Sequence, residues 1–299
     1  MIGIVKPGLL TTVQDLGRPG FAHLGVARSG ALDAPALARA NALVGNPTSA
    51  AGLETTLTGV SLLAEAPLTL AVSGASAPVT VDGAAVPFDT PFDVPEGAQV
   101  DIGPAATGVR SYVAVAGGIT VGLVLGSRST DTLSGLGPPP MKAGFVLPIG
   151  ATSRALVPAE PPTSAATATA TSAGDEIVVR IRMGPRHDWF SVPARDALLG
   201  EAYVLTAKSN RVGARLAGPA LTRSTPGELP SEGLVLGAVQ VPADGQPLVF
   251  LADHPTTGGY PVIAVVERAD LPLLAQARPG TAIRFVLART AKDETRPWT

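Results

Sequence analysis

The sequence predicts a mainly β chain, folded into mixed sheets or barrels with a few short helices. Its 299 residues include 34 Gly and 29 Pro, about a fifth of all positions, and both types break helices and interior strands. Short segments with a period of two recur along the chain. Few of the stretches between them are long enough to form crossover helices.

The elements follow in chain order. Asp33 is placed to cap a helix with Pro35 in its first turn, Leu37, Ala40, Leu43 and Val44 on one face, and Gly45 ending it. RSYVAVAGG reads as a strand. Residues 158–174, PAEPPTSAATATATSAG, have little apolar surface to bury and read as a linker between a domain at 1–157 and another at 175–299. In EIVVRIRMGP, Ile177, Val179, Ile181 and Met183 alternate with Arg180 and Arg182, which turns one face inward. AYVLTA, QPLVFLAD, VIAVVER and AIRFVLA are further strands, separated by turn residues. A second helix starts at Asp270, carries Leu273 and Leu274, and stops before Pro279.

Hydrophobic residues make up 45% of the chain and charged residues 15%, against roughly 25% charged in an average domain, so the chain can bury a core. The net charge is -2 and no basic run appears, which argues against nucleic acid and anionic membranes as partners. Cysteine is absent, which removes disulfides and thiolate chemistry. The N-terminus lacks the features of a secretory signal, and the most apolar later stretch, 17 uncharged residues between Arg110 and Arg128, is glycine-interrupted and too short to span a membrane. A cytoplasmic protein is expected.

Neither common phosphate-binding loop is present, nor a GxSxG elbow, and His23, His187 and His254 lack metal-ligand spacing, so no metal site is expected. Pro140, Met141 and Lys142 faintly resemble a biotin-bearing hairpin, but a solvated loop lysine is the better reading.

Four polar clusters interrupt the alanine and valine background: TTVQDLGRPG with Gln14, Asp15 and Arg18; GSRSTD with Ser127 and Arg128; KSNRVGARL with Asn210 and Arg211; and PSEGLVLGAVQVP with LADHPTTGGYP, carrying Glu232, Gln240, Thr256, Thr257, Gly258, Gly259 and Tyr260. Glycine beside amide, hydroxyl and guanidinium groups lets backbone approach a ligand closely. Each feature also has a plain structural alternative. The arginines could bond loop carbonyls or pair with Asp15, Asp131 or Glu232, Gly258 and Gly259 could serve a tight turn, and Asn210 could be a left-handed turn residue.

In this order the segments resemble the family described as the C subunit of 5-oxoprolinase, allophanate hydrolase subunit 2, KipA-like protein or biotin-dependent carboxyltransferase. PGLLTTVQDLGRPG, SGALD, VAVAGGI, GSRST, SNRVGARL, SEGLVLGAVQVP, GQPLVFLAD, TTGGYPVIA and AQARPGTAIRF carry the likeness across nearly the whole chain. The resemblance implies two cyclophilin-like β-barrel domains. It also implies a partner, the B subunit of 5-oxoprolinase (KipI-like, or allophanate hydrolase subunit 1), with the A subunit as a third member. The implied reaction is opening of 5-oxoproline to glutamate with ATP as co-substrate, magnesium being left open, and with no covalent biotin on this chain. A biotin-dependent carboxyltransferase acting on urea or another amide is the alternative within catalysis. A KipA-like protein that sequesters a KipI-type kinase inhibitor is the alternative outside it.

An amide is a poor electrophile, so pre-placed donors are needed where charge develops on its oxygen. On this reading Asn210, Arg211, Glu232, Thr257 and Tyr260 are catalytic. Gln14, Arg18, Gln240, Thr256, Gly258, Gly259, Ser127 and Arg128 bind substrate, with Arg211 and Arg18 holding anionic groups. The sequence departs from the family pattern in GLGPPPMKAGFVLPIG, which lacks an expected arginine and aspartate, and at Asp253, His254 and Pro255, where Asp, Arg and Gln are usual.

Overall fold

A computed structural model describes residues 1–152, 175–225, 227 and 229–288; the expected linker at 158–174 lies outside the described residues. The chain divides into two compact units, Met1–Ser172 with Ala275–Arg278, and Ala173–Leu274 with Pro279–Thr299.

In the first unit two antiparallel sheets face a common core. One sheet has six strands, in the order Val146–Leu147, Ile2–Lys6, Val60–Ala64, Gln99–Ile102, Val79–Val81 and Ala84–Val86. The other has five: Leu10–Gln14, Gly52–Thr56, Arg110–Val115, Leu68–Gly74 and Phe92–Val94. Ile2, Ile4, Leu62 and Val100 of one sheet pack with Leu53, Leu70, Val72, Val113 and Val115 of the other.

The strand Arg110–Val115 is buried at all six positions, so it does not alternate as a one-sided strand would. The reason is helix α1 (Ala34–Leu43). Ala36, Leu37, Ala40 and Val44 cover the outer face of the sheet at Ala71, Tyr112 and Ala114, while Val72, Val113 and Val115 face the core between the sheets. The start of α1 is fixed as the sequence predicts: the Asp33 carboxylate accepts from the Ala36 N–H at 3.0 Å, and Pro35 lies in the first turn.

In the second unit seven strands close into a barrel, in the order Glu176–Met183, Val262–Val266, Ala238–Gln240, Leu248–Phe250, Gly213–Ala217, Ala202–Leu205 and Ala282–Leu287. The first and last of these pair in parallel, from Glu176 opposite Ala282 to Ile181 opposite Leu287. Ile177, Val179 and Ile181 turn inward and Val178 outward, so the period of two seen in the sequence is the barrel's inside and outside. Tyr203 and Phe285 fill the interior with ring centroids 6.1 Å apart.

The class is therefore mainly β with few short helices. A hydrogen-bonded barrel closes in the second unit, whereas the strands of the first divide between two sheets. The helix expected from Asp270 is present as a 3-10 turn, Arg268–Asp270, running into α3 (Leu271–Gln276). The helix α2 (Val192–Gly200), capped by Ser191 with Pro193 in its first turn, escapes the sequence reading.

Candidate functional site

The predicted site residues gather within each unit separately. In the first, Asp15 organises the cluster. Its carboxylate accepts from the Gly17 N–H at 2.8 Å, from the Ser127 and Ser129 hydroxyls, both at 2.6 Å, and from the Arg128 N–H at 2.7 Å. Two loops more than a hundred residues apart are thereby tied together around one buried anion.

Gln14 joins them, its amide donating to the Thr12 hydroxyl and the Thr130 carbonyl, both at 3.0 Å. The Arg18 guanidinium is 1% exposed and donates to the carbonyls of Val124 and Ser129, and Arg128 Nε donates to the Val121 carbonyl at 2.9 Å. Gln14, Arg18, Ser127 and Arg128 are thus brought together, with the two arginines bonded to loop carbonyls. Sequence reasoning selected them as ligand groups; their observed partners make them the internal frame of a rigid loop pair.

In the second unit the strands Glu232–Gly233 and Thr257–Gly258 pair as a short ribbon, with Glu232 opposite Gly258 and Gly233 opposite Thr257. The Leu234 N–H extends the pairing to the Thr256 carbonyl at 2.8 Å. Beneath the ribbon, buried Gln240 at the end of a barrel strand donates to the Tyr260 carbonyl at 3.0 Å. A Cβ on Gly258 would lie 2.8 Å from both the Gln240 amide nitrogen and a Leu234 methyl, so any larger residue there would have to push these side chains aside. Glu232, Gln240, Thr256, Thr257, Gly258, Gly259 and Tyr260 therefore share one locality, with the Thr257 and Tyr260 side chains exposed.

Three residues of this locality were missed by the sequence reading. Arg186 forms a two-pronged pair with Glu232, through Nε at 3.1 Å and through Nη2, and holds that carboxyl below its ordinary range. The Arg186 guanidinium also lies 5.8 Å from the Trp189 ring, and that of Arg223 lies 5.6 Å from the Tyr260 ring. The cluster GPRHDWF was the available signal for the first two.

Asn210 and Arg211 belong to a different turn of the same unit. The Asn210 side chain accepts from the N–H groups of Val212 at 2.9 Å and Gly213 at 3.3 Å, without the left-handed backbone that a turn asparagine can adopt. Arg211 is bonded at both ends of its fork to Asp253, at 2.9 and 3.0 Å, and both side chains are buried. The departure from the family pattern at His254 also has a local account: this side chain is buried, bonds the Pro255 carbonyl at 2.7 Å and packs near Phe250. Lys142 is exposed beside buried Met141.

Among the described residues no group of three His, Asp or Glu is placed to hold a metal ion, and no helix is long and apolar enough to cross a membrane. Chemically, the locality holds a fixed carboxylate, hydroxyls and cationic groups around exposed backbone, with the Gln240 carboxamide buried beneath.

The family described as carboxyltransferase domain, subdomain A and B, matches residues 24–287. This chain belongs to that family. It is 40% identical over 96% of its length to the C subunit of 5-oxoprolinase from Escherichia coli, of which it covers 91%. The crystal structure of the Kluyveromyces lactis urea amidolyase matches 96% of the chain with a TM-score of 0.87 at 30% identity, and that of TTHA0988 matches 95% with a TM-score of 0.82 at 39% identity. The chain spans about half of TTHA0988, at 55%, and 19% of the amidolyase. This carboxyltransferase-family chain thus corresponds to nearly the whole of one relative and to a part of the others.

Proposed function

We propose that the chain is the C subunit of an ATP-dependent 5-oxoprolinase, opening 5-oxoproline to glutamate in the cytoplasm together with its A and B subunits. The observation that carries this reading is the match to the Escherichia coli protein across 91% of its length. The site in the second unit supports it chemically.

In this proposal the γ-phosphoryl group of ATP passes to the lactam oxygen, a first water attacks the ring carbon, and the ring C–N bond breaks as the nitrogen takes a proton, leaving an acyl phosphate that a second water hydrolyses to glutamate and phosphate. Gln240, Thr256 and Thr257 position the amide. Glu232, kept ionised by Arg186, accepts the lactam N–H, and the Tyr260 hydroxyl faces the developing charge on oxygen. Arg211 braces the neighbouring turn through Asp253, Asn210 holds it by accepting from the Val212 and Gly213 N–H groups, and the frame of Gln14, Arg18, Ser127 and Arg128 holds the loops of the first unit. Any magnesium that enters with the nucleotide would be held chiefly by the phosphates and would offset their charge.

The test is co-expression with the neighbouring open reading frames and an assay for glutamate. ATP-dependent release from the complex, with none from the chain alone, is expected. Its absence from an assembled complex refutes the reading. The likeness to the Kluyveromyces lactis urea amidolyase favours a second reading, carboxyl transfer from biotin to urea. Carboxylation of urea on adding a biotin carboxylase and carrier, without ring opening, would select it.

A further inference from the structure

Several arginines of the second unit are paired with carboxylates. Arg180 pairs with Asp270, Arg182 with Glu267, Arg186 with Glu232 and Arg211 with Asp253. Arg223 differs. It is half-buried, and among the described residues no carboxylate pairs with it. Its Nη2 donates to the Val241 carbonyl at 2.6 Å while the guanidinium lies over the Tyr260 ring.

A cleft of about 610 Å³, lined in part by Arg223, lies wholly within the second unit. The hydroxyl residues Thr222, Ser224 and Thr225 line one side, and Pro242 and Asp244 the other. The loop is held firmly. The N–H groups of Ser224 and Thr225 donate to the Trp189 carbonyl at 2.8 and 3.4 Å, the Ser191 N–H donates to the Thr222 carbonyl at 3.2 Å, and Phe190, 1% exposed, bridges to Arg223. On the other side the Leu221 N–H donates to the Gly245 carbonyl at 3.0 Å. Gly245 has φ +75, and a Cβ there would press on Ala220 at 3.0 Å, so this close approach needs glycine. Asp244 is occupied in the turn, accepting from the Gln246 N–H at 3.0 Å.

A guanidinium with which no described carboxylate pairs, beside three hydroxyl side chains on a loop held through its backbone, is suited to a carboxylate ligand. The two amides at issue differ in that one respect. 5-Oxoproline carries a carboxylate at neutral pH, and urea carries no charge. We propose that Arg223, with Thr222, Ser224 and Thr225, forms a carboxylate-holding subsite that selects an anionic lactam over a neutral amide. The substrate class rests on the 5-oxoprolinase reading; the carboxylate preference itself rests on the cleft.

The test is isothermal titration of the full chain, alone and with its partner subunits, using 5-oxoproline, urea, and 2-pyrrolidinone, which is the same lactam without the carboxylate. The wild-type protein is expected to bind 5-oxoproline about tenfold or more tightly than 2-pyrrolidinone. Arg223→Gln is expected to erase that preference by weakening 5-oxoproline alone, and Arg223→Lys to retain part of it. Equal binding of the two lactams, binding of neither, or an unchanged preference in Arg223→Gln overturns the subsite. Because Arg223 also braces Val241 and Tyr260, loss of both lactams together in the two variants marks a structural role and overturns it too. Glutamate release is a separate readout: a complex that prefers 5-oxoproline through Arg223 yet opens no ring keeps the subsite and loses the 5-oxoprolinase reading.

Discussion

The charge on Glu232 depends on its pair with Arg186, which is half-exposed and bonded to it through two nitrogens. Because this hydrogen bonding lowers the folded-state pKa, the carboxylate's contribution is present above the unfolded value and is lost as pH falls through the lowered one. Arg186→Met should raise the Glu232 pKa toward its ordinary value. The acid limb of the pH–rate profile of the assembled enzyme should move up with it, and carbon-13 NMR titration of the carboxyl should show the same shift. An unmoved acid limb beside a moved NMR titration would remove Glu232 from the chemistry. Asp15 is a different case, since it is buried and takes four hydrogen bonds from Gly17, Ser127, Arg128 and Ser129. Asp15→Ala strands those donors away from water and should cost about 3 kcal/mol, read as a lower midpoint in urea denaturation. At this scale sequence reading has a definite blind spot. It finds that an arginine is present but not which way the fork points, so Arg18 and Arg211, among the largest fully buried side chains, are selected while Arg223 is passed over.

Helix α1 shows how a local signal and a tertiary one combine. Asp33 caps it, and the Tyr112 hydroxyl, from the sheet beneath, accepts from the Asp33 N–H at 2.8 Å and donates to Glu54 at 2.8 Å. Tyr112→Phe leaves the Asp33 N–H and a Glu54 oxygen short of a partner at full burial, for a loss of about 2 kcal/mol by thermal unfolding with the helix retained. Asp33→Ala should cost about 1–2 kcal/mol by removing the cap. The cap and Pro35 were legible because they act within one turn of chain; the Tyr112 bond was not, because it spans 79 residues. The same distinction explains α2 and the ribbon. Ser191 and Pro193 were readable start signals, but the helix is short and buries only Ala194 and Leu198, so its apolar stripe is weak. Glu232 and Thr257 were chosen as polar residues near glycine, and the pairing that makes them neighbours is long-range and carries no sequence signature of its own.

At the scale of the whole chain, the charge balance bears on assembly. The net charge is -2, charged residues are 15% of the sequence, and several charges of the second unit cancel in pairs such as Arg182 with Glu267 and Arg284 with Glu176. Long-range steering scales with the product of the two partners' fields, so a weak field on this side limits it whatever the partner carries. The Escherichia coli relative is named as one subunit of an enzyme, which implies association with others. That association should then rest on apolar contact and short-range hydrogen bonds, with an association rate constant on the order of 10⁵–10⁶ M⁻¹s⁻¹. Raising ionic strength from about 50 to 300 mM, which shortens the screening length from roughly 14 to 6 Å, should slow association by no more than about threefold. Stopped-flow measurement with the purified B subunit over that salt range checks this directly. A slowing of tenfold or more would mean that assembly is guided by a concentrated patch of one sign which the small net charge conceals.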